Sequence, residues 1–133
     1  MFLILGSLLY SKAGKVKSLG FKRVHSSRVK LEKMAEPDVE GVGIRWLITK
    51  DDGAPHFAMR LFEIQPEGYS SLHAHQWEHE VYILEGDCKV VCEGQERKAS
   101  AGYAVFIPPN ATHQFTNIGK SMLKFLCLVP HHK

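Results

Sequence analysis

Four histidines lie in two short segments whose spacing suits the binding of one metal ion. His73, His75 and His79 fall within one stretch, and His113 follows the turn sequence PPNAT further along the chain. Neutral imidazole is a common ligand for Mn, Fe, Ni, Cu and Zn. Two histidines separated by one residue on a β-strand point to the same face, because side-chain direction alternates along a strand. The pattern therefore predicts one divalent transition metal ion per chain, bound by these four imidazoles.

The elements that must position these histidines are predicted to be β-strands. Short apolar runs are broken repeatedly by Gly, Pro and Asp, a rhythm that is typical of strands and turns. Strands are predicted over 41–50, 56–65, 70–75, 79–85, 88–93, 96–100, 103–107, 113–117 and 121–129. Turns are predicted at 51–53 and 66–68, while 28–34 could form either two helical turns or a strand. This succession predicts an all-β fold, an antiparallel sandwich or barrel.

Length and composition limit the class of protein. A chain of 133 residues with 44% hydrophobic and 23% charged residues is expected to form one globular domain and not a disordered chain. The formal charge of +3 and the lack of a basic stripe argue against nucleic acid as a partner. No apolar run has the roughly 18–20 residues that a membrane span needs. A small-molecule substrate is therefore the expected partner.

The N-terminus and the cysteines bear on domain organisation and compartment. Residues 1–22 are predicted to be an N-terminal extension, and 23–133 the compact β-barrel domain. The first ten residues are apolar, but the lysines follow them instead of preceding them, so a signal peptide is not favoured. An edge strand lent to a partner subunit is the preferred interpretation. The three cysteines are an odd number without a C-x-x-C pair, which predicts buried thiols and a reducing, cytoplasmic location.

The segments Gly68–Gly86 and Gly102–Asn117 together resemble the two signature motifs of the cupin superfamily. The first segment has the glycine, the H-x-H pair, a third candidate ligand and the closing glycine of the family's first motif, with an opening spacer one residue short. The second has the glycine, the proline, the histidine and the final asparagine, but Asn110 stands where the family has glycine. Asparagine tolerates a left-handed backbone better than most residues, so the turn should persist. The resemblance covers about residues 24–130 and implies a jelly-roll barrel, also called a double-stranded β-helix.

The third ligand has two candidates, His79 and Glu80. Their side chains lie on opposite faces if both belong to one strand, so only one of them can reach the metal. Six residues lie between His79 and the closing glycine, as the motif requires, whereas only five lie between Glu80 and that glycine. Strand register fixes that distance more strictly than the preceding turn does. We therefore favour His79, with Glu80 as the alternative.

The resemblance implies a mononuclear metal site but does not choose an activity. Small cupins with a similar H-x-H-x-W-E-H-E segment bind their metal through four histidines. An uncharged ligand set leaves the full charge on the ion and favours phenolates, enolates or carboxylates as substrates. We expect a metalloenzyme, and first an O₂-dependent dioxygenase, acting on a small oxygen-bearing substrate. A metal-stabilised binding protein without turnover and a Lewis-acid isomerase or lyase remain open as alternatives.

Four further residues are candidates for the pocket or for contacts between subunits. Arg60 shares a strand face with Phe62 and could meet a substrate anion inside the barrel, but an exposed position is favoured. Trp77, Phe106 and Phe115 could line the mouth of the pocket, although core or dimer contacts are favoured for them. Small cupins commonly pair through their sheets, so the resemblance also implies a homodimer.

Overall fold

Alternating burial defines the strands of this protein, whose computed structural model describes residues 20–131. The last strand, Leu123–Pro130, alternates buried and half-buried residues along its whole length. The strand His79–Glu85 buries His79, Val81 and Ile83 and exposes the residues between them. This period of two is what a strand with one face on the core requires.

Nine strands and two 3-10 turns are present within residues 20–131. The turns are Ser26–Arg28 and Lys50–Asp52. The strands are β1 (Glu32–Lys33), β2 (Glu40–Ile48), β3 (Phe57–Tyr69), β4 (His79–Glu85), β5 (Asp87–Cys92), β6 (Gln95–Ser100), β7 (Ala104–Ile107), β8 (His113–Asn117) and β9 (Leu123–Pro130).

The strands form a single curled sheet in which every pairing is antiparallel. Its hydrogen-bonded order is β6-β5-β8-β3-β9-β4-β7, with β2 paired to both β3 and β1. The rings of Phe62, Phe125 and Phe115 stack in the interior, with centroids 5.0 and 4.8 Å apart. The all-β, antiparallel jelly-roll barrel predicted from the sequence is therefore confirmed.

The stretch between β3 and β4 differs from the prediction. The turn expected at 66–68 is absent, because β3 continues to Tyr69 through a bulge at Glu67, whose φ is 68°. A Cβ at Gly68 would lie 2.5 Å from the carbonyl oxygen of Glu40, so only glycine allows this close approach of β2. The strand expected over 70–75 is wrong too. That stretch is a loop with one isolated bridge, between His73 and His113.

The segment before β2 is held against the barrel by side-chain contacts. The ambiguous stretch 28–34 is neither a helix nor a full strand, and only Glu32–Lys33 pairs with β2. Arg45 on β2 forms an ion pair of 2.8 Å with Glu63 and donates a hydrogen bond of 2.6 Å to the carbonyl of Val29. These contacts fix a segment that borders the interior of the barrel.

The predicted extension over 1–22 lies almost entirely outside the described residues. Its proposed role as an edge strand lent to a partner therefore stays a prediction. Between residues 20 and 131, no helix has the length and apolar character of a membrane span.

Candidate metal centre

Two backbone hydrogen bonds bring the first and second histidine segments together. The N–H of His113, the first residue of β8, donates to the carbonyl of His73 at 2.9 Å. The N–H of His73 donates to the carbonyl of His113 at 3.2 Å. The loop between β3 and β4 thus continues the ladder of β8 by one residue pair, which places both imidazoles at the same end of the barrel.

Three of the four predicted ligands form a tight cluster. His73, His75 and His113 each contribute one ring nitrogen to a set whose members lie within 4.8 Å of one another. The Nε2 atoms of His73 and His75 are 2.6 Å apart. Nitrogen atoms from separate parts of the chain that approach this closely can share one small cation.

Backbone carbonyls orient two of these rings. The Nδ1 of His73 lies 2.9 Å from the carbonyl oxygen of Ser71, and the Ser71 hydroxyl is 2.5 Å from the same nitrogen. The Nδ1 of His113 lies 2.9 Å from the carbonyl oxygen of Ala111. An Nδ1–H that donates to a carbonyl leaves Nε2 unprotonated, with its lone pair free for a metal. Both rings are therefore held in the tautomer that a metal needs.

His79 lies beside this cluster on β4. Its ring centre is 5.0 Å from that of His113 and 5.2 Å from that of His75. Burial, followed by the charge of Arg60, lowers the pKa of His79 from 6.5 to about 3. Burial also lowers the pKa of His113. Both imidazoles are thus neutral at ordinary pH, which is the form that binds metals.

Glu80 points to the other side of the sheet. Its side chain is exposed and borders an apolar groove on the outer surface of the barrel. His79 is 5% exposed and faces the histidine cluster. The ligand choice between these two residues stays a prediction, and the side-chain directions favour His79.

The histidines line a cavity of about 410 Å³ inside the barrel. Aromatic side chains form much of its remaining surface, and the indole of Trp77 stacks on His75 with ring centres 4.6 Å apart and planes 4° from parallel. Cavities of this size and character accommodate small organic ligands. The cavity lining includes Trp46, Phe62, Trp77, Phe115 and Phe125.

Arg60 lies inside this cavity, so the favoured prediction of an exposed arginine is wrong. The residue is half-buried, and its Nη2 donates to the Sγ of Cys127 at 2.9 Å and lies 3.4 Å from Nδ1 of His79. The sequence showed the correct strand face, which Arg60 shares with the buried Phe62. An exposed position is the usual one for arginine, because charged residues are seldom buried without a partner.

The structure places the aromatic candidates and the cysteines in different surroundings. Trp77 and Phe115 line the cavity, whereas Phe106 is 58% exposed and borders the outer groove. Cys88 and Cys127 are buried as predicted, and Cys92 is half-buried. Sequence reasoning missed Trp46, whose position beside Arg60 depends on the β2–β3 register.

The two motif asparagines stabilise turns and do not reach the cavity. Asn110 has a φ of 68°, the left-handed conformation expected for the residue that replaces glycine. Asn117 is buried, and its Nδ2 donates to the carbonyls of Ile64 at 2.8 Å and Ser121 at 2.9 Å. Its Oδ1 accepts from the N–H of Gly119 at 2.8 Å. Asn110 therefore lies in the turn that precedes His113, whereas Asn117 holds the turn between β8 and β9.

Histidines clustered at one end of the interior of a jelly-roll barrel are typical of small barrels that can hold a metal ion. Residues 60–129 match the family described as the cupin domain. The match covers more than half of the chain, which therefore belongs to the cupin family.

Similar proteins are found both among curated sequences and among solved structures. The 1-methylthio-D-xylulose 5-phosphate methylsulfurylase of Rhodospirillum rubrum is 40% identical over 72 residues, which are 53% of this chain and 46% of the relative. This chain therefore spans about half the length of that curated relative. Among solved structures, the polyketide cyclase RemF from Streptomyces resistomycificus is 37% identical, with a TM-score of 0.78 over 84% of this chain and 80% of that one.

A further structure supports the fold alone. The predicted oxalate decarboxylase of Thermotoga maritima is 24% identical, with a TM-score of 0.75 over 84% of this chain and all of that chain. At this identity, shared architecture does not carry a shared activity.

Proposed function

We propose that this cupin is a mononuclear metal-dependent enzyme that catalyses the redox-neutral, dehydrating ring closure of a small enolisable ketone. The observation that carries the proposal is the set of three converging imidazole nitrogens, with two Nδ1 atoms anchored on carbonyls, inside an aromatic cavity. Among the functions that the sequence leaves open, this proposal corresponds to the Lewis-acid isomerase or lyase. The 37% identity to a polyketide cyclase favours it over the dioxygenase.

The donor set fits a divalent transition metal. His73, His75 and His113 would hold it, with His79 as the fourth ligand, and all four groups are uncharged when they bind. When bound, such an ion supplies a Lewis acid that polarises a substrate oxygen. The acidic Glu80 on the outer face does not belong to this set.

The chain's own residues position the substrate and exclude water. The planar faces of Trp77 and Phe115 offer stacking surfaces for a flat, conjugated ketone. Stacking would hold the two reacting carbons of a flexible substrate close together, which removes much of the entropic barrier to ring closure. The apolar walls keep competing water away from an enolate while it exists.

A phenyl-substituted linear triketone is a suitable test substrate. In its ring closure, the terminal methyl carbon loses a proton and bonds to the carbonyl carbon beside the phenyl ring. That carbonyl oxygen takes up this proton and a second one from a neighbouring ring carbon and leaves as water. Enolisation of the two remaining ketones then gives a phenyl-substituted resorcinol. Metal content is first measured by elemental analysis of protein produced in media supplemented with Mn, Fe, Ni, Cu or Zn, with one ion per chain expected.

Product mass then separates the possible activities. A product equal to the substrate minus water, formed faster with metal-loaded protein than with chelator-treated protein, supports the proposal. Consumption of O₂ with oxygen incorporated into the product would indicate the dioxygenase instead. Saturable binding without turnover of the triketone or of related diketones would indicate a binding protein. The variant Lys89→Ala, whose position on β5 is remote from the cavity lining, serves as the matched control.

A further inference from the structure

The guanidinium of Arg60 occupies a defined position between three strands. In the sheet register, Arg60 on β3 lies opposite Trp46 on β2 and opposite Cys127 on β9. Its Cζ is 5.4 Å from the centre of the Trp46 ring and 4.9 Å from that of Phe62. The arginine is therefore fixed by aromatic faces on the wall of the cavity.

The hydrogen bonds of this guanidinium leave most of its donors unused. Only Nη2 lies within hydrogen-bond distance of other protein groups: it donates to the Cys127 sulfur at 2.9 Å and lies 3.4 Å from Nδ1 of His79. Between residues 20 and 131, Nε of Arg60 is the one buried side-chain nitrogen or oxygen without a hydrogen-bond partner. No carboxylate in this part of the chain lies within 4.0 Å of Arg60. A guanidinium offers five N–H donors, of which the two on Nη1 remain available to an anion.

The energetics of this arrangement favour an anionic partner. A charge removed from water without a counterion costs several kcal/mol, of the order of the penalty per ion in protein interiors. Cation–π contacts with two rings recover roughly 0.5–2 kcal/mol each. Among the residues that line the cavity, Glu36 is the only acidic one, and it is exposed and forms no ion pair with Arg60. The protein itself therefore leaves this charge uncompensated.

We propose that Arg60 forms an anion subsite, which binds a carboxylate or enolate oxygen conjugated to an aromatic ring of the ligand. The subsite deepens the proposed function, on which it rests for the identity of the cavity as the substrate site. Planar anions suit it because a guanidinium binds two oxygens in its own plane, while the flanking indole and phenyl rings contact the apolar part of the ligand. The 3.4 Å distance from Arg60 to His79 places the subsite next to the histidine cluster. One ligand can therefore contact both.

The test uses benzoate as the anionic probe and benzamide as its uncharged analogue, with binding measured by titration calorimetry. Binding is compared in the full-length wild-type protein, in Arg60→Met and in Arg60→Lys. Arg97→Met is the matched control, since Arg97 is an exposed arginine on β6 that contacts Gln95. Metal content and thermal stability are measured for every variant. If Arg60→Met does not fold, the lysine variant carries the comparison, because it keeps the charge and loses the planar donor pair.

We expect Arg60→Met to weaken benzoate binding about 10- to 100-fold, the range for loss of a hydrogen bond to a charged group, and to leave benzamide binding within about twofold. Arg60→Lys should fall between wild type and Arg60→Met, and Arg97→Met should match wild type. Equal losses for benzoate and benzamide, or no loss, would overturn the proposal. So would benzoate binding that depends on metal and not on Arg60.

The two proposals fail separately. If the protein binds no metal but benzoate binding still depends on Arg60 in chelator-treated protein, the anion subsite stands and the metalloenzyme proposal falls. If metal binds in one equivalent but Arg60→Met keeps full affinity for benzoate, the anion-subsite proposal falls and the metalloenzyme proposal is unaffected.

Discussion

The backbone N–H of Asn110 donates a hydrogen bond to the carbonyl oxygen of His75, with the two atoms 2.5 Å apart. The turn that precedes β8 is therefore joined directly to the loop that carries two of the histidines. Asn110 makes this contact from a left-handed conformation with a φ of 68°. Hence the turn residue that departs from the family motif also determines the position of a candidate ligand.

Substitutions at Asn110 should separate backbone conformation from side-chain chemistry. Asn110→Gly should keep thermal stability and metal content close to wild type, because glycine adopts the left-handed region freely. Asn110→Val should lower the free energy of unfolding by about 1–2 kcal/mol and reduce metal affinity, because a β-branched side chain is strained at positive φ. Thermal melting and metal titration check both variants. A valine variant as stable as the glycine variant would contradict this account.

The third ligand can be assigned by two neighbouring substitutions. His79→Ala should weaken metal binding by at least about tenfold, equivalent to roughly 1.4 kcal/mol, because it removes a neutral imidazole beside the cluster. Glu80→Ala should leave metal affinity unchanged, since this carboxylate is exposed on the outer face. Competition with a chromophoric chelator measures both affinities. The assignment is wrong if Glu80→Ala empties the site and His79→Ala does not.

The stability of the metal-free protein should depend on pH through His79. The folded protein protonates His79 at a pKa of about 3, whereas the usual value is 6.5. Between these values the unfolded chain binds the proton and the folded chain does not. The contribution of neutral His79 to the free energy of unfolding is therefore complete above pH 6.5 and is lost as the pH falls toward 3. One such group contributes a slope of at most about 1.4 kcal/mol per pH unit.

Chelator-treated protein unfolded by urea at several pH values measures this slope. His79→Gln should flatten the dependence between pH 6.5 and about 3, because glutamine does not titrate. His56→Gln, which replaces an exposed histidine outside the cavity lining, serves as the matched control. Identical slopes for wild type and His79→Gln would show that burial of His79 does not suppress its protonation.

The homodimer expected from the sequence can be tested on the outer face of the sheet. Apolar side chains of β3, β4, β7 and β9 border a groove of about 370 Å³ there, including Tyr82, Phe106, Leu126 and Leu128. We propose that this face joins two copies of the chain, because exposed apolar patches of this kind mark interaction sites. Phe106→Glu should convert a dimer to a monomer in light scattering after size exclusion. Ile118→Glu, outside the groove, should remain dimeric, and a monomeric wild type would refute the proposal.

The fold was predictable from the sequence because alternation and turn residues act locally. In the strand predicted over 79–85, residues at alternate positions share a face, and His79, Val81 and Ile83 are all buried. The left-handed turn expected at Asn110 is present, with a φ of 68°. The loop at 70–75 was misassigned because H-x-H alternation resembles a strand, whereas the chain there pairs at a single position with His113. Whether a polar alternating segment joins a ladder depends on its neighbour in space, and local pattern does not reveal that neighbour.

The clustering of the histidines could be predicted from the sequence, whereas their surroundings could not. Imidazoles that bind one ion must be close together, so their spacing in sequence carries information. Arg60 and Trp46 become neighbours only through the register of β2 and β3. The aromatic faces that make an inward arginine tolerable come from other strands as well. A buried charge of this kind is therefore hard to foresee from its own segment.

One wall of the cavity is formed by residues that precede the family match at 60–129. Met34, Glu36, Ile44 and Trp46 all belong to this earlier part of the chain and border the same space as the histidines. The histidines and this wall of the cavity thus come from separate stretches of the sequence. We expect that exchanging 20–59 between relatives would reshape this wall of the cavity and leave the four imidazoles in place.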